Sequence, residues 1–152
     1  MAFRFRLETL LQLRKRLLEL AEGELARLLG ELSVARQVLD EKIFQIEKTS
    51  EKLRQTVQKG TSALEFQSMR NYLDSLYKEQ AALEAKIQSL EAELVRIRKM
   101  VSERHKEKEL VERLRQRQYV SHLRELQRIE QIEADDLSNI RFARKVNETV
   151  SI

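Results

Sequence analysis

The sequence predicts an all-α protein, a two-helix antiparallel coiled-coil hairpin whose longer second helix overhangs the first. Two apolar stripes separated by one turn predict this fold. The first stripe returns every seven residues: Leu11, Leu18, Leu25, Leu32, Leu39, Ile46 and Leu53. The second follows the central glycine in steps of three and four: Leu73, Leu76, Gln80, Leu83, Ile87, Leu90, Leu94, Ile97 and Val101. Such a repeat keeps one helix face against a partner helix along its length.

The composition also favours long helices and few turns. The chain has 152 residues, of which 36% are charged, with three glycines and no proline. Turns are built mainly from Gly, Pro, Asn and Asp, so a domain with many turns is disfavoured. We therefore predict one hairpin over residues 1–152, with helix one at about 5–59, a turn at 60–62 and helix two at about 63–146.

The glycines carry local signals. Gly60 suits the left-handed conformation that ends a helix, and Ser62 with Glu65 matches the capping box that begins a new one. Gly23 and Gly30 lie inside the first helix, where each costs about 1 kcal/mol relative to alanine. Two interpretations of them stay open: a close helix contact or binding surface that compensates, or glycines that a long helix tolerates.

The end of the second helix is predicted to lack a partner from its own chain. Folding back at residue 61 places Leu7 opposite about Arg115, so residues after about Tyr119 overhang the N-terminus. These residues still include apolar side chains: Leu123, Leu126, Ile129, Ile132, Leu137 and Ile140. An apolar stripe on a helix normally packs against something, so we expect the overhang to bind a partner. Residues from about 147 to 152 are expected to fray.

No group of residues points to catalysis. The chain has no cysteine, which excludes disulfides and thiolate metal ligands. His105 and His122 lack a His or Asp four residues on that would complete a metal pair, and we interpret both as surface residues. The carboxylates lie on helix faces open to water. We expect no catalytic residue, metal site, cofactor or small-molecule substrate, and a protein that is not an enzyme.

A soluble protein is expected, because no apolar run approaches the roughly 20 residues that span a bilayer. The N-terminus also lacks the apolar core of a signal peptide. A membrane-surface helix over residues 3–20 is an alternative, but the leucines there continue the coiled-coil stripe, so burial against protein is the simpler explanation.

Charge is distributed unevenly along the chain. Residues 1–20 carry five basic and two acidic groups, and residues 96–128 carry eleven and five, whereas residues 61–95 carry three and six. In an antiparallel hairpin both basic segments fall toward the end that holds the N-terminus, so we expect the two ends to meet different partners. Residues 96–117 could bind nucleic acid, but interleaved acidic residues and the lack of aromatic residues make this a less favoured alternative.

Apolar residues outside the stripes suggest binding surfaces. A group near the N-terminus widens the apolar face beyond a two-helix seam: Leu10, Leu13, Leu17 and Leu20. Farther along lie large side chains of the kind that anchor protein interfaces: Phe44, Phe66, Tyr72 and Tyr77. The other interpretation, in which these residues cap a small core, stays open.

The opening segment Phe5-Arg6-Leu7-Glu8-Thr9-Leu10-Leu11 resembles that of the FliJ family, a small coiled-coil component of the bacterial flagellar protein-export apparatus. The similarity continues through Ala26-Arg27-Leu28-Leu29-Gly30-Glu31, the Gly60 turn, the stretch from Asn71 to Leu76 and the run from Leu114 to Gln118. It therefore spans essentially the whole chain.

The resemblance implies a non-enzymatic component of flagellar type III export, built like the central stalk of a rotary ATPase. It implies that the terminal end contacts the hexameric export ATPase and promotes assembly of its ring. It also implies contact with the export gate in the membrane, escort of export chaperones, and a cytoplasmic location peripherally associated with the membrane at the export apparatus.

Family positions carried onto this sequence give two sets of contact residues. The ATPase end would include Leu7, Leu10, Arg14, Leu123 and Leu126. The gate-docking surface would include Ile46, Leu53, Tyr72 and Leu76, although Leu53 and Leu76 also belong to the predicted stripes.

Two alternatives to this stalk stay open. A generic coiled-coil scaffold would dimerise stably through the overhang, whereas the stalk is expected to be mainly a monomer, and sedimentation separates the two. An injectisome counterpart of the same stalk would share the same physical features.

Overall fold

The computed structural model describes residues 2–151, and within them the chain forms two α-helices, α1 (Glu8–Lys59) and α2 (Ala63–Val150), with no strand. The predicted all-α helical hairpin is confirmed. The helix begins at Glu8 rather than near residue 5, because a turn precedes it in which the Glu8 amide donates to the Phe5 carbonyl at 3.2 Å. At the other end α2 continues into the segment expected to fray, as far as Val150.

Local contacts explain the turn. Gly60 has a φ of 89°, and its amide donates to the Val57 carbonyl at 3.3 Å. The Glu65 amide donates to Ser62 Oγ at 3.1 Å, which is one half of the predicted capping box. The other half differs, because the Glu65 carboxylate accepts a bond of 2.9 Å from the Thr61 hydroxyl instead of from the Ser62 backbone.

The chain divides into two compact units, and one of them comprises residues Leu17–Arg104. Its apolar core has two clusters of buried side chains. One holds Leu28, Leu32, Ala35, Ile87, Leu90, Leu94 and Ile97, and the other holds Ile46, Leu53, Leu73 and Leu76. Ion pairs between the helices join Arg36 to Glu91 and Lys42 to Glu79, so α2 runs antiparallel to α1 in this unit.

The other unit combines the described residues through Arg16 with those from His105 onward. Phe5, Leu11 and Val111 form its buried cluster, with Phe3 and Leu10 packed against it. Glu8 pairs with Arg115 at 3.4 Å and Arg14 with Glu107 at 2.8 Å. The first pair confirms the predicted register, in which Leu7 lies opposite about Arg115.

The interior glycines of α1 have open space around them. A Cβ added at Gly23 or Gly30 would meet no atom within 4 Å. A close helix contact within the described chain is therefore not what compensates for either glycine, and the other two interpretations remain: a binding surface, or simple tolerance.

We predict that the same substitution has opposite effects at two glycines. Gly60→Ala should lower the free energy of unfolding by about 1–2 kcal/mol, since a side chain at positive φ is strained. Gly23→Ala should raise it by about 1 kcal/mol, because alanine is the better helix former and has room there. Urea denaturation followed by far-UV circular dichroism measures both, and a Gly60→Ala variant as stable as the parent would contradict the assigned turn conformation.

Candidate partner-binding surfaces

The segment before α1 folds onto α2 through aromatic side chains. The Phe3 ring packs edge-on against Tyr119, with 5.3 Å between ring centroids, and lies 5.5 Å from the His122 ring. His122 is therefore half-buried beside Phe3 rather than a free surface residue, which corrects the prediction. The register could have revealed this contact, because it places the first residues of the chain opposite the region around Tyr119.

The residues predicted to lie at the ATPase end all belong to the unit that combines the described residues through Arg16 with those from His105 onward. Their environments differ. Leu7 and Leu123 are exposed, at 37% and 40%. Leu10 is half-buried against the Phe5 cluster, and Leu126 is half-buried on α2. Arg14 is half-buried in its ion pair with Glu107, and its Nε has no hydrogen-bond partner among the described residues. The structure thus holds Leu10 and Arg14 against α2 and leaves Leu7 and Leu123 open.

Residues 123–150, the part of the overhang beyond the contacts made by Phe3, continue α2 to its end. At about 1.5 Å per residue they form roughly 40 Å of helix. Their large apolar side chains are widely exposed: Leu123, Ile132, Leu137, Ile140, Phe142, Val146 and Val150. At about 100° per residue, they lie on several sides of the helix.

The predicted gate residues separate into two kinds. Ile46, Leu53 and Leu76 are buried in the second cluster of the Leu17–Arg104 unit. Tyr72 is 55% exposed. A ligand surface near these residues must therefore be made by Tyr72 and other exposed groups, with the three aliphatic side chains beneath it.

Exposed aromatic residues accompany Tyr72 in the same unit. Phe44, Phe66 and Tyr77 all keep more than a third of their surface in water. The interpretation that they cap the ends of a core is wrong for Phe44, which is 64% exposed. Phe44 is not among the contact residues carried over from the family, but it belongs to the predicted group of large side chains outside the stripes.

A shallow groove of about 610 Å³ lies in the Leu17–Arg104 unit. It is lined on α1 by Ala26, Gly30 and Val34, and on α2 by Leu83 and Lys86. The absent side chain of Gly30 helps to form it. Because Gly30 lines this groove, it can still be interpreted as part of a binding surface.

The basic stretch of α2 is partly neutralised by nearby carboxylates. His105 and Arg113 lie against Glu109, Lys108 lies against Glu112, and Arg115 pairs with Glu8 across the helices. Because these basic groups already have acidic partners, the structure does not favour nucleic acid binding.

Charged pairs elsewhere have the character of surface ion pairs. A hydrogen bond to Glu79 raises the pKa of Lys42, and a hydrogen bond from Arg128 lowers the pKa of Glu125. All four side chains contact solvent. Within residues 2–151 no group of three or more His, Asp or Glu side chains is arranged to hold a metal ion. Neither helix has, in its described part, a segment long and apolar enough to cross a membrane.

Comparison with known proteins identifies one family. The family model described as Flagellar FliJ protein matches residues 3–147. This range includes the N-terminal aromatic segment, all of α1, and α2 as far as residue 147. Comparison with curated proteins gave no match, and neither did comparison with solved structures.

We predict that Phe5 anchors the N-terminal segment. Phe5→Ala should lower the free energy of unfolding by about 3–5 kcal/mol or release the residues before α1 from α2. Phe5 is only 8% exposed, and loss of a large buried ring leaves a cavity. Hydrogen exchange should then speed up in the first turns of α1. Phe142→Ala is the matched control, since Phe142 is 69% exposed and its loss should leave exchange near Glu8 unchanged. If the amides in the first turns of α1 exchange equally slowly in the two variants, the packing of Phe5 would be contradicted.

Proposed function

The chain belongs to the FliJ family of flagellar proteins, and from this membership we propose a specific role within flagellar protein export. In this role the protein is a non-enzymatic stalk that binds the hexameric export ATPase and promotes assembly of its ring. It also couples the ATPase to the membrane export gate and escorts export chaperones. It acts in the cytoplasm, peripherally associated with the membrane, and mainly as a monomer.

The exposed apolar overhang is the observation that carries this proposal. Each large aliphatic side chain moved from water into an interface contributes about 1.5–3 kcal/mol. The overhang holds several such side chains beyond the last contact with Phe3. A partner that surrounds this helix would gain that free energy, and a ring of ATPase subunits can surround a helix.

The adjoining surface supports contact by the same partner. Leu7 adds an exposed apolar group at the start of α1, and Leu13 is a second one farther along the helix. Arg14 lies nearby in sequence, held by Glu107. A charge fixed in this way can orient a partner at a smaller entropic cost than a mobile one. We propose that Leu7 and Leu123 touch the ATPase, while Leu10 and Arg14 keep the surface in place.

The gate contact is assigned to the exposed aromatic residues. Aromatic side chains are over-represented among the residues that dominate binding energy. We propose that Tyr72, with Phe44 and Tyr77, contacts the gate protein, and that Ile46, Leu53 and Leu76 support this surface from the core.

The ATPase contact is tested by a charge introduced on the overhang. Leu123→Asp should weaken binding to the purified export ATPase by about tenfold or more, because an interface leucine is lost and a carboxylate would be desolvated. The matched control is Leu64→Asp, which places the same charge on an 82% exposed leucine in the first turn of α2. Titration and ATPase stimulation are both measured. An unchanged Leu123→Asp variant, or equal losses in the two variants, would contradict the assignment.

The gate contact is tested by removing rings. A Phe44→Ala, Tyr72→Ala double variant should lose binding to the purified cytoplasmic part of the gate while it keeps ATPase stimulation, since neither ring belongs to a buried cluster. Leu123→Asp should show the opposite pattern. If gate binding survives in the double variant, another surface carries this contact.

A further inference from the structure

Charge in the overhang is divided into two blocks. Residues 130–136 contain four acidic and no basic side chains: Glu130, Glu133, Asp135 and Asp136. Residues 141–145 contain three basic and no acidic ones: Arg141, Arg144 and Lys145. All seven side chains are exposed. No ion pair within residues 2–151 involves any of the three basic side chains, so this block has no acidic partner among the described residues of its own chain.

Apolar residues run along the same segment. Ile129, Ile132, Ile140, Ala143 and Val150 are spaced so that they share one helix face. Asp136 interrupts this face near its middle. Ile132 and Ile140 are 45% and 50% exposed, so the face is open to a second helix.

From the order of the two charge blocks we propose that the overhangs of two copies pair antiparallel when the protein is free. A two-fold axis between Ser138 and Asn139 would place residues 130–136 of one copy opposite residues 141–147 of the other. Glu133 of each copy, which flanks the apolar face, then lies opposite Arg144 of the other copy, and symmetry makes this contact twice. Arg141 and Lys145 lie farther around the helix and add attraction between the blocks at longer range. A parallel pair would instead set acidic residues against acidic residues, which is unfavourable.

This pairing goes beyond the proposed function but uses the same surface. The ion pairs would be exposed, so each contributes little and is screened by salt. The dimer is therefore weak and concentration-dependent, and the chain is a monomer at low concentration. Pairing keeps the apolar face out of water until the ATPase partner takes the second copy's place.

Sedimentation equilibrium of the full chain tests the proposal. At low salt the average mass should rise with concentration from 18.0 kDa toward twice that value, and added salt should reverse the rise. One variant makes the basic block acidic, with Arg141→Glu, Arg144→Glu and Lys145→Glu. A second variant makes the acidic block basic, with Glu130→Lys, Glu133→Lys, Asp135→Lys and Asp136→Lys. Circular dichroism confirms that both stay helical.

Each variant alone should dimerise about tenfold more weakly or worse, because like blocks would then face each other. An equimolar mixture should recover a dimer at least as strong as the parent's, since every facing pair of blocks is then opposite in sign. A parent that stays at monomer mass at the highest soluble concentration overturns the proposal, and so does a mixture that fails to recover. Neither outcome bears on binding to the ATPase, which is measured separately.

The direction of pairing is tested by disulfide formation between introduced cysteines. The chain has no cysteine of its own, so each disulfide reports on the introduced position. Asn139→Cys lies beside the proposed axis and should cross-link to its own copy under mild oxidation. Ile132→Cys lies on the same face, but in an antiparallel pair its two copies would be about 20 Å apart. It should remain reduced. Cross-linking of both variants would show parallel pairing and overturn the proposal.

Discussion

The structure depends on the burial of one apolar face of α1 against one apolar face of α2. Leu28 and Leu32 are removed from water because Leu94 and Ile97 cover them, and neither helix has another element within the described residues to do so. A lone helix with such a stripe would leave it in water. Reversal at Gly60, whose φ of 89° disfavours other residues, lets a single chain supply both faces.

The unequal lengths of the two helices determine which surfaces remain free. α1 has 52 residues and α2 has 88, so the end of α2 continues past the residues that could cover it. Phe3 extends the covered part as far as His122, and the apolar side chains beyond it are exposed. The Leu17–Arg104 unit differs, because both helices contribute to its buried clusters and its exposed apolar groups include the rings of Phe44 and Tyr72 beside aliphatic side chains. Each of the two units thus has exposed apolar side chains that form a candidate binding surface.

Prediction from sequence succeeded where a local pattern decides the outcome. The heptad stripe gave the buried positions, and Gly60 with Ser62 gave the turn. It failed where tertiary contact decides. His122 is half-buried because Phe3 reaches it. Contact residues transferred by family position carry no information about burial, and so Ile46 was predicted as a contact residue although it lies in the core.

The antiparallel pairing of α1 and α2 within one chain is tested most directly by a distance between spin labels. Cysteines replacing Arg36 and Glu91, whose side chains form an ion pair, would carry the labels, and excess unlabelled chain would dilute contacts between molecules. An antiparallel hairpin should give a short distance, in keeping with helix axes about 10 Å apart, and dilution should not change it. A distance near 80 Å, as in one continuous helix, or a short distance that disappears on dilution, would contradict it.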